Sequence, residues 1–460
     1  MNRREFLTSA TALMFASGCK CVPFARRPNL VFGVVSDIHI TTEESCADFR
    51  KALKYFKRRG VDAVMSPGDL TDWGTKNSLI YLKRTWDEVF GGTKVVPLFC
   101  TGNHDFEGFH YGDMALEMRA NGVSDNEALV KNGMKAMWRE IMGEEFEPIG
   151  VKTVKGYDFV SLEWNQDGKL KPWMEENASR FTGDKPFFFF QHYPIKGTTS
   201  DSRAGTNAKE VLSNYKNCVA FTGHTHQVFH YEKLFWRGEF TAISTPSLSY
   251  ASLPGGENAL SRSKDALKRS MQPIPSRRDL RGDQGFLVNV FDDEIIIERI
   301  DLEEEASDCA PWVVPLSEEA KCSTPKFEMH LVGPEFPEGA FIVTQTRNTE
   351  NRAGEWTIVM NLEFPSPVTD DRCRVHYYEV RAYPVDGSEC EMVKKFVSPA
   401  YHRMRKYEPK TQRFWFDVRD LPQGKEYYLE ARARCTFGVL SAPIRSKKLF
   451  MLPDPRDKQS

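Results

Sequence analysis

From residue 30 to 230 the chain alternates short apolar runs with longer stretches in which apolar positions recur every third or fourth residue. The runs cover 30–35, 61–65, 95–100, 157–162, 187–190 and 218–221. They show little polar alternation and end in Gly, Pro, Asp, Asn or His, which predicts strands of a parallel sheet buried on both faces. Between the first two runs, Cys46, Phe49, Leu53 and Phe56 fall on one helical face. Arg50, Lys51, Lys54 and Lys57 occupy the polar face, and Gly60 stops the helix. A second helix is expected over about 77–90, so the order is strand–helix–strand–helix–strand. Residues 106–150 are polar, Gly/Met-rich and mostly helical in pattern, either a cap over a crevice or a peripheral insertion. From 229 to 300 the pattern turns hairpin-like around a basic, Pro/Ser-containing insertion at 255–283. Strands at 285–290 and 294–298, turning at Asp292-Asp293, close this region.

These patterns divide the chain into an N-terminal segment and linker (1–28), an α/β domain (29–302), an acidic linker (303–325) and a C-terminal all-β sandwich (326–453). Alternating strands at 356–364, 375–383, 414–418 and 427–435 carry the last of these. Leu421-Pro422-Gln423-Gly424-Lys425-Glu426-Tyr427 resembles the turn before strand F of a fibronectin type III domain. The resemblance makes Tyr427 the tyrosine-corner residue, points Leu429, Ala431 and Ala433 at the core, and starts the last strand at Ser441-Ala442-Pro443. A spacer or docking module is the default role for such a unit.

Composition narrows the class. With 460 residues, 40% hydrophobic content and a formal charge of −2, the chain is neither disordered nor equipped with a basic nucleic-acid surface. Paired Arg3-Arg4 before the apolar run 10–16 resemble a bacterial twin-arginine signal, and Ala16-Ser17-Gly18-Cys19 resembles a lipoprotein cleavage box. An exported protein, periplasmic or at the cell surface and tethered through lipidated Cys19, is expected. No segment is long and apolar enough for a mature membrane-spanning helix. The ten cysteines form no CxxC pair; Cys309 with Cys322, and Cys373 with Cys390, are disulfide candidates whose connectivity stays open.

The strand ends carry the chemistry. Asp37 and His39 follow the first run, Asp69 the second, Asn103 and His104 the third, His192 the fifth, and His224 and His226 the sixth. Five of the ten histidines therefore sit where α/β sheets bind ligands. Imidazole, carboxylate and amide donors without thiolate suit divalent Mn, Fe, Co, Ni or Zn, and seven donors exceed one tetrahedral site, suggesting two ions bridged by a carboxylate. His110, His230, His330, His376 and His402 lack motif context and read as ordinary histidines.

Asp37-Ile38-His39, Gly68-Asp69, Gly102-Asn103-His104-Asp105, His192 and Gly223-His224-Thr225-His226 together resemble the calcineurin-like metallophosphoesterases, motif by motif and in order over about 30–300. The resemblance implies a double β-sheet sandwich flanked by helices, with a dinuclear metal centre at the sheet edge. It implies that Asp37, His39 and His226 hold one divalent ion, that Asn103, His192 and His224 hold the other, and that Asp69 bridges them. His104 becomes the general acid or transition-state donor, with Asp72 orienting it, while metal-bound hydroxide attacks phosphorus. Asp105 either orients His104 or shapes the turn. Trp73 stands where some members carry a phosphate-binding Arg, and no Tyr follows Asp69, so neither a protein-phosphatase site nor a purple iron–tyrosinate centre is expected. The expected activity is hydrolysis of small phosphate mono- or diesters. The competing reading is a non-catalytic, metal-containing surface protein that binds its ligand through the sandwich. A serine hydrolase is disfavoured because no GxSxG occurs.

Overall fold

The computed structural model describes residues 26–108, 127–199, 205–252, 281–316, 332–350, 356–369, 373–435 and 437–451. The export segment with Cys19, most of the 255–283 insertion, residues 109–126 and Cys322 lie outside them. No helix among the described residues is long and apolar enough to cross a membrane.

The first half runs β1 (Leu30–Val34), α1 (Cys46–Arg59), β2 (Ala63–Pro67), α2 (Lys76–Phe90), β3 (Val96–Cys100), α3 (Glu127–Met142), β4 (Ile149–Val154), β5 (Tyr157–Leu162), α4 (Leu170–Glu176), β6 (Phe187–Gln191), α5 (Lys209–Leu212), β7 (Cys218–Thr222), β8 (Phe235–Arg237), β9 (Thr241–Ser244), β10 (Gln284–Val290), β11 (Glu294–Asp301) and β12 (Trp312–Pro315). These strands make two six-stranded sheets, ordered β12-β11-β10-β1-β2-β3 and β4-β5-β6-β7-β9-β8. β1, β2 and β3 are parallel, as are β5, β6, β7 and β9.

The continuous apolar runs follow from burial on both faces. Phe188 and Phe190 of β6 join Leu30, Phe32 and Val34 in the core between the sheets, while Phe187 and Phe189 face the outer core that holds α4 and α5. Phe32 meets Phe188 and Phe159 edge-on, with centroids 4.8 and 5.2 Å apart. Each such ring contributes roughly 1.5–3 kcal/mol through burial. Helices α1, α2 and α3 cover the outer face of the first sheet through Phe49, Leu53, Phe56, Leu82, Trp86 and Trp138. Gly60 ends α1 in the left-handed conformation, φ 69°, with Lys57, Arg58 and Arg59 in the last turn, complementing the helix dipole.

Three differences from the sequence reading have physical causes. β4 (149–154) begins inside the stretch 106–150 read as helical, because pairing with β5 outweighs a local pattern broken by Gly150. Trp312–Pro315, inside the stretch read as a linker, extends the first sheet as β12. The buried Glu232 carboxylate holds it there, accepting from Trp312 Nε1 (2.7 Å) and pairing with Arg299 (2.7 Å). The disulfide joins Cys373 to Cys435, with Cα atoms 5.5 Å apart, rather than to Cys390. Pairing of the C-terminal strands sets Val375 opposite Cys435, a neighbourhood that residues 62 positions apart do not announce in sequence. Cys309 and Cys390 are free thiols.

The C-terminal part contains β13 (Val343–Glu350), β14 (Trp356–Pro365), β15 (Val375–Pro384), β16 (Met392–Val397), β17 (Thr411–Asp417), β18 (Glu426–Cys435), β19 (Ile444–Arg445) and β20 (Leu449–Phe450). They form sheets β13-β14-β17 and β16-β15-β18-β19, with β20 also on β18. Leu362, Phe364 and Phe414 of one sheet share a core with Tyr378, Phe396 and Leu429 of the other.

Candidate metal centre

Five strands of the first domain deliver their following loops to one place. Asp37 and His39 follow β1, Asp69 follows β2, Asn103 and His104 follow β3, His192 follows β6, and His224 and His226 follow β7. Nine non-glycine residues among those described have positive φ, and five of them are Asp37, His39, Asp69, His224 and His226. Each such conformation costs roughly 1–2 kcal/mol and persists only where its surroundings hold it. The strain is concentrated on these side chains.

Close backbone approach is built in by glycine. A Cβ on Gly102 would lie 2.5 Å from the Asp69 nitrogen and 2.7 Å from the His192 ring. One on Gly223 would lie 2.7 Å from the Pro67 carbonyl and 2.9 Å from Asp37 Oδ2.

The side chains converge in two groups that share Asp69. Donor atoms of Asp37, His39, Asp69 and His226 lie within 4.8 Å of one another, as do those of Asp69, His192 and His224. Asn103 Oδ1 adds itself to the second group, 3.1 Å from His192 Nε2. Asp37 Oδ1 is 3.0 Å from His226 Nε2, and both its oxygens accept from the His224 amide at 3.0 and 3.1 Å. Asp69 Oδ1 accepts from the His104 amide at 2.9 Å. Its Oδ2 is buried, with His192 Nε2 and His39 Nε2 standing 3.1 and 3.7 Å away.

Second contacts fix which ring nitrogens face inward. His192 Nδ1 lies 3.0 Å from the Pro67 carbonyl, and His226 Nδ1 lies 3.0 Å from the Tyr250 carbonyl. A carbonyl only accepts, so both Nδ1 atoms carry the proton, and a neutral ring turns its Nε2 lone pair to the centre. His39 Nε2 and His226 Nε2 face each other at 3.4 Å. Lone pairs and carboxylate oxygens aimed at shared points are a donor set that cations satisfy. Burial opposes charge on His192, yet Asp69 and Asp37 outweigh it and raise its pKa to about 9; the same carboxylates would attract a cation, whose binding through Nε2 would displace that proton. His224 is lowered to about 4 by burial and by the neighbouring His192, which keeps it a neutral donor. The residues fit divalent ions of the kind that imidazole, carboxylate and amide ligands select.

His104 stands beside this set. Its Nδ1 is 3.1 Å from Asp72 Oδ1 and 3.2 Å from the Asp72 carbonyl, and Asp72 Oδ1 also lies 2.9 Å from His39 Nδ1. Burial lowers the His104 pKa, but the Asp72 hydrogen bond and the charges of Asp69 and Glu107 raise it to about 9. Asp105 does not reach the His104 ring. It accepts from the amides of Leu70 (3.2 Å), Thr71 (2.8 Å) and Gly102 (2.8 Å), tying two site loops together.

Sequence reasoning missed Tyr250 and Glu163, and offered Tyr193 only as a residue lining the substrate pocket. Tyr250 stacks on His226 with centroids 4.1 Å apart, and nothing in its local sequence signals it. Tyr193 packs edge-on against His224 at 4.4 Å. Glu163 is buried and accepts from the Thr101 amide (2.7 Å) and hydroxyl (2.5 Å), steadying the loop before Asn103. An acidic residue directly after a buried strand was its available signal. Burial pushes the Glu163 carboxyl up to about 8.

Residues 30–228 match the sequence profile of the family described as calcineurin-like phosphoesterase. Three solved structures are similar to part of the chain. A conserved uncharacterised protein of Streptococcus pneumoniae, described as a predicted phosphoesterase, shares 12% identity over 62% of this chain and 97% of its own, at TM-score 0.29. A novel archaeal phosphodiesterase shares 12% identity over 62% and 99%, at TM-score 0.24. A purple acid phosphatase from yellow lupin (Lupinus luteus) seeds shares 13% identity over 65% and 58%, at TM-score 0.36. No curated protein matches the sequence. The matched domain has the metallophosphoesterase-like α/β sheet fold, and with its candidate ligand clusters it supports a metal-dependent phosphoester hydrolase.

Proposed function

We propose that this protein hydrolyses small phosphate mono- or diesters at a dinuclear centre. Asp37, His39 and His226 hold one divalent ion, Asn103, His192 and His224 hold the other, and Asp69 is common to both. The single observation that carries this reading is the buried Asp69 carboxylate, which belongs to both donor groups and whose Oδ2 lies 3.1 Å from His192 Nε2 of one and 3.7 Å from His39 Nε2 of the other. When bound, such ions supply Lewis-acid polarisation of the phosphoryl oxygens and an activated water. The chain's own residues do the rest. Asp72 holds the His104 ring by Nδ1, which leaves Nε2 to give a proton to the departing oxygen. The raised His104 pKa keeps that proton in place at neutral pH. Asp105 and Glu163 hold the loops that carry Asp69 and Asn103.

The test is turnover of p-nitrophenyl phosphate and bis-p-nitrophenyl phosphate by purified protein supplied with Mn²⁺. Metal-dependent release of p-nitrophenol supports the reading; no release from either ester at any pH, with ions bound, overturns it and favours the non-catalytic binding protein.

We further propose that residues 326–453 are fibronectin type III-like. The three- and five-stranded sheets support this, as does the Tyr427 hydroxyl, which lies 3.2 Å from the carbonyl of Pro422, the neighbour a tyrosine corner has, beside its shorter bond to the Glu391 carboxylate. Export, with attachment through Cys19, is proposed from the N-terminal motifs, and the Cys373–Cys435 disulfide supports an oxidising compartment.

A further inference from the structure

The segment between β16 and β17 leaves the C-terminal domain and inserts Tyr401 against the back of the metal-ligand loops. Tyr401 is 1% exposed and packs on Val228 and Ala251, both buried. Its hydroxyl lies 3.4 Å from Gln227 Oε1 and 3.3 Å from the Ser252 carbonyl. Gln227 is the residue after His226. The Ser252 amide donates to the His226 carbonyl at 2.6 Å, and the Tyr250 carbonyl holds His226 Nδ1. Tyr401 thus touches both segments that clasp His226, a residue held at φ 52° against its own preference. Neighbouring contacts reinforce the dock. Gln284 accepts from the Phe229 amide at 2.8 Å and donates to the His402 carbonyl at 3.0 Å, bridging the two domains. His230 meets Tyr401 edge-on at 5.8 Å.

We propose that the C-terminal domain is a working part of the metal centre rather than a spacer, and that Tyr401 is a positioning residue for His226. The inference rests on the dinuclear reading above. It assigns the domain to one ion only: the ion held by Asp37, His39 and His226 depends on Tyr401, and the ion held by Asn103, His192 and His224 does not.

The test compares full-length wild type with Tyr401→Ala and Tyr401→Phe. Mn²⁺ binding is followed by calorimetry and by the paramagnetic resonance of coupled ions, and the exchange rate of the Ser252 amide is measured without metal. Loss of an outer contact to a ligand weakens metal binding by about 10–100-fold. Tyr401→Ala is therefore expected to bind one ion as wild type does and the second at least about tenfold more weakly, with loss of the coupled signal. Ser252 exchange should quicken while β5 and β6 stay protected. Tyr401→Phe, which keeps the ring, should move the same way by less. Unchanged affinity for both ions and unchanged Ser252 exchange in folded Tyr401→Ala overturn the proposal. If that variant does not fold, the same result in Tyr401→Phe overturns it. Wild type that binds no divalent ion refutes the dinuclear reading, whereas faster Ser252 exchange in the variants still supports the positioning role.

Discussion

Replacing Gly102 by alanine adds one methyl group to the middle of the site. The backbone at Gly102 is not left-handed, so the perturbation is contact alone. The new Cβ would sit 2.5 Å from the Asp69 nitrogen and 2.7 Å from the His192 ring, where ordinary contact begins at 3.4 Å. The shortfall of roughly 0.9 Å cannot be absorbed by a flexible side-chain end, because Asp69 meets it with backbone and His192 is buried at 1% exposure. Overpacking of this kind costs about 1–3 kcal/mol. A displacement near 1 Å of a catalytic group costs on the order of 10²-fold in rate. Urea unfolding of the metal-free protein should show the stability loss, and metal titration with p-nitrophenyl phosphate turnover should show the functional one. Gly168→Ala is the control: it sits on the surface with nothing within 4 Å of its added Cβ, and should stay within about 0.5 kcal/mol of wild type. Gly102→Ala with wild-type stability and full metal binding would refute the geometry of close approach.

Three further outcomes are expected. On the proposed role of His104 as proton donor, His104→Ala should keep its ions and lose roughly 10²–10⁴-fold in kcat; loss of metal by elemental analysis would reassign it. Glu232→Gln should destabilise the fold by about 3–5 kcal/mol, because it leaves the buried Arg299 guanidinium without its carboxylate; chemical unfolding within 1 kcal/mol of wild type would contradict that. His230, buried and flanked by Arg374 and Arg299, has its pKa pushed well below the usual value by burial first and those cations second. The unfolded chain therefore binds a proton near pH 6.5 that the folded chain refuses, and stability falls with acidification below that pH by up to about 1.4 kcal/mol per unit. His230→Leu should flatten this slope in unfolding titrations between pH 7.5 and 5.5; an identical slope would place the effect elsewhere.

Much of the site was legible because strand ends in a parallel sheet are marked by their own residues. Asp37, Asp69, Asn103, His192 and His224 each directly follow or nearly follow an apolar run, and the fold makes neighbours of those run ends. The central phenylalanines of 187–190 announced burial on both faces in the same way. What was illegible depends on distance in the chain. Tyr250 and Tyr401 support His226 through contacts that no local pattern encodes. The left-handed backbone of the five candidate ligand residues is invisible too, since Asp and His are not glycine and their spacing looks like an ordinary turn. Trp312 read as part of a linker because its partners, Glu232 and Arg299, lie 80 and 13 positions away. Asp105, ambiguous in sequence, is settled by three amides that point at it.

On the proposed reading, the Asp69 carboxylate serves two ions. Counting divalent ions per chain by native mass spectrometry, in wild type and in Asp69→Asn, tests it most directly. Two ions in wild type and a loss of occupancy at both positions in Asp69→Asn are the predicted result. Two ions still bound to Asp69→Asn would contradict it.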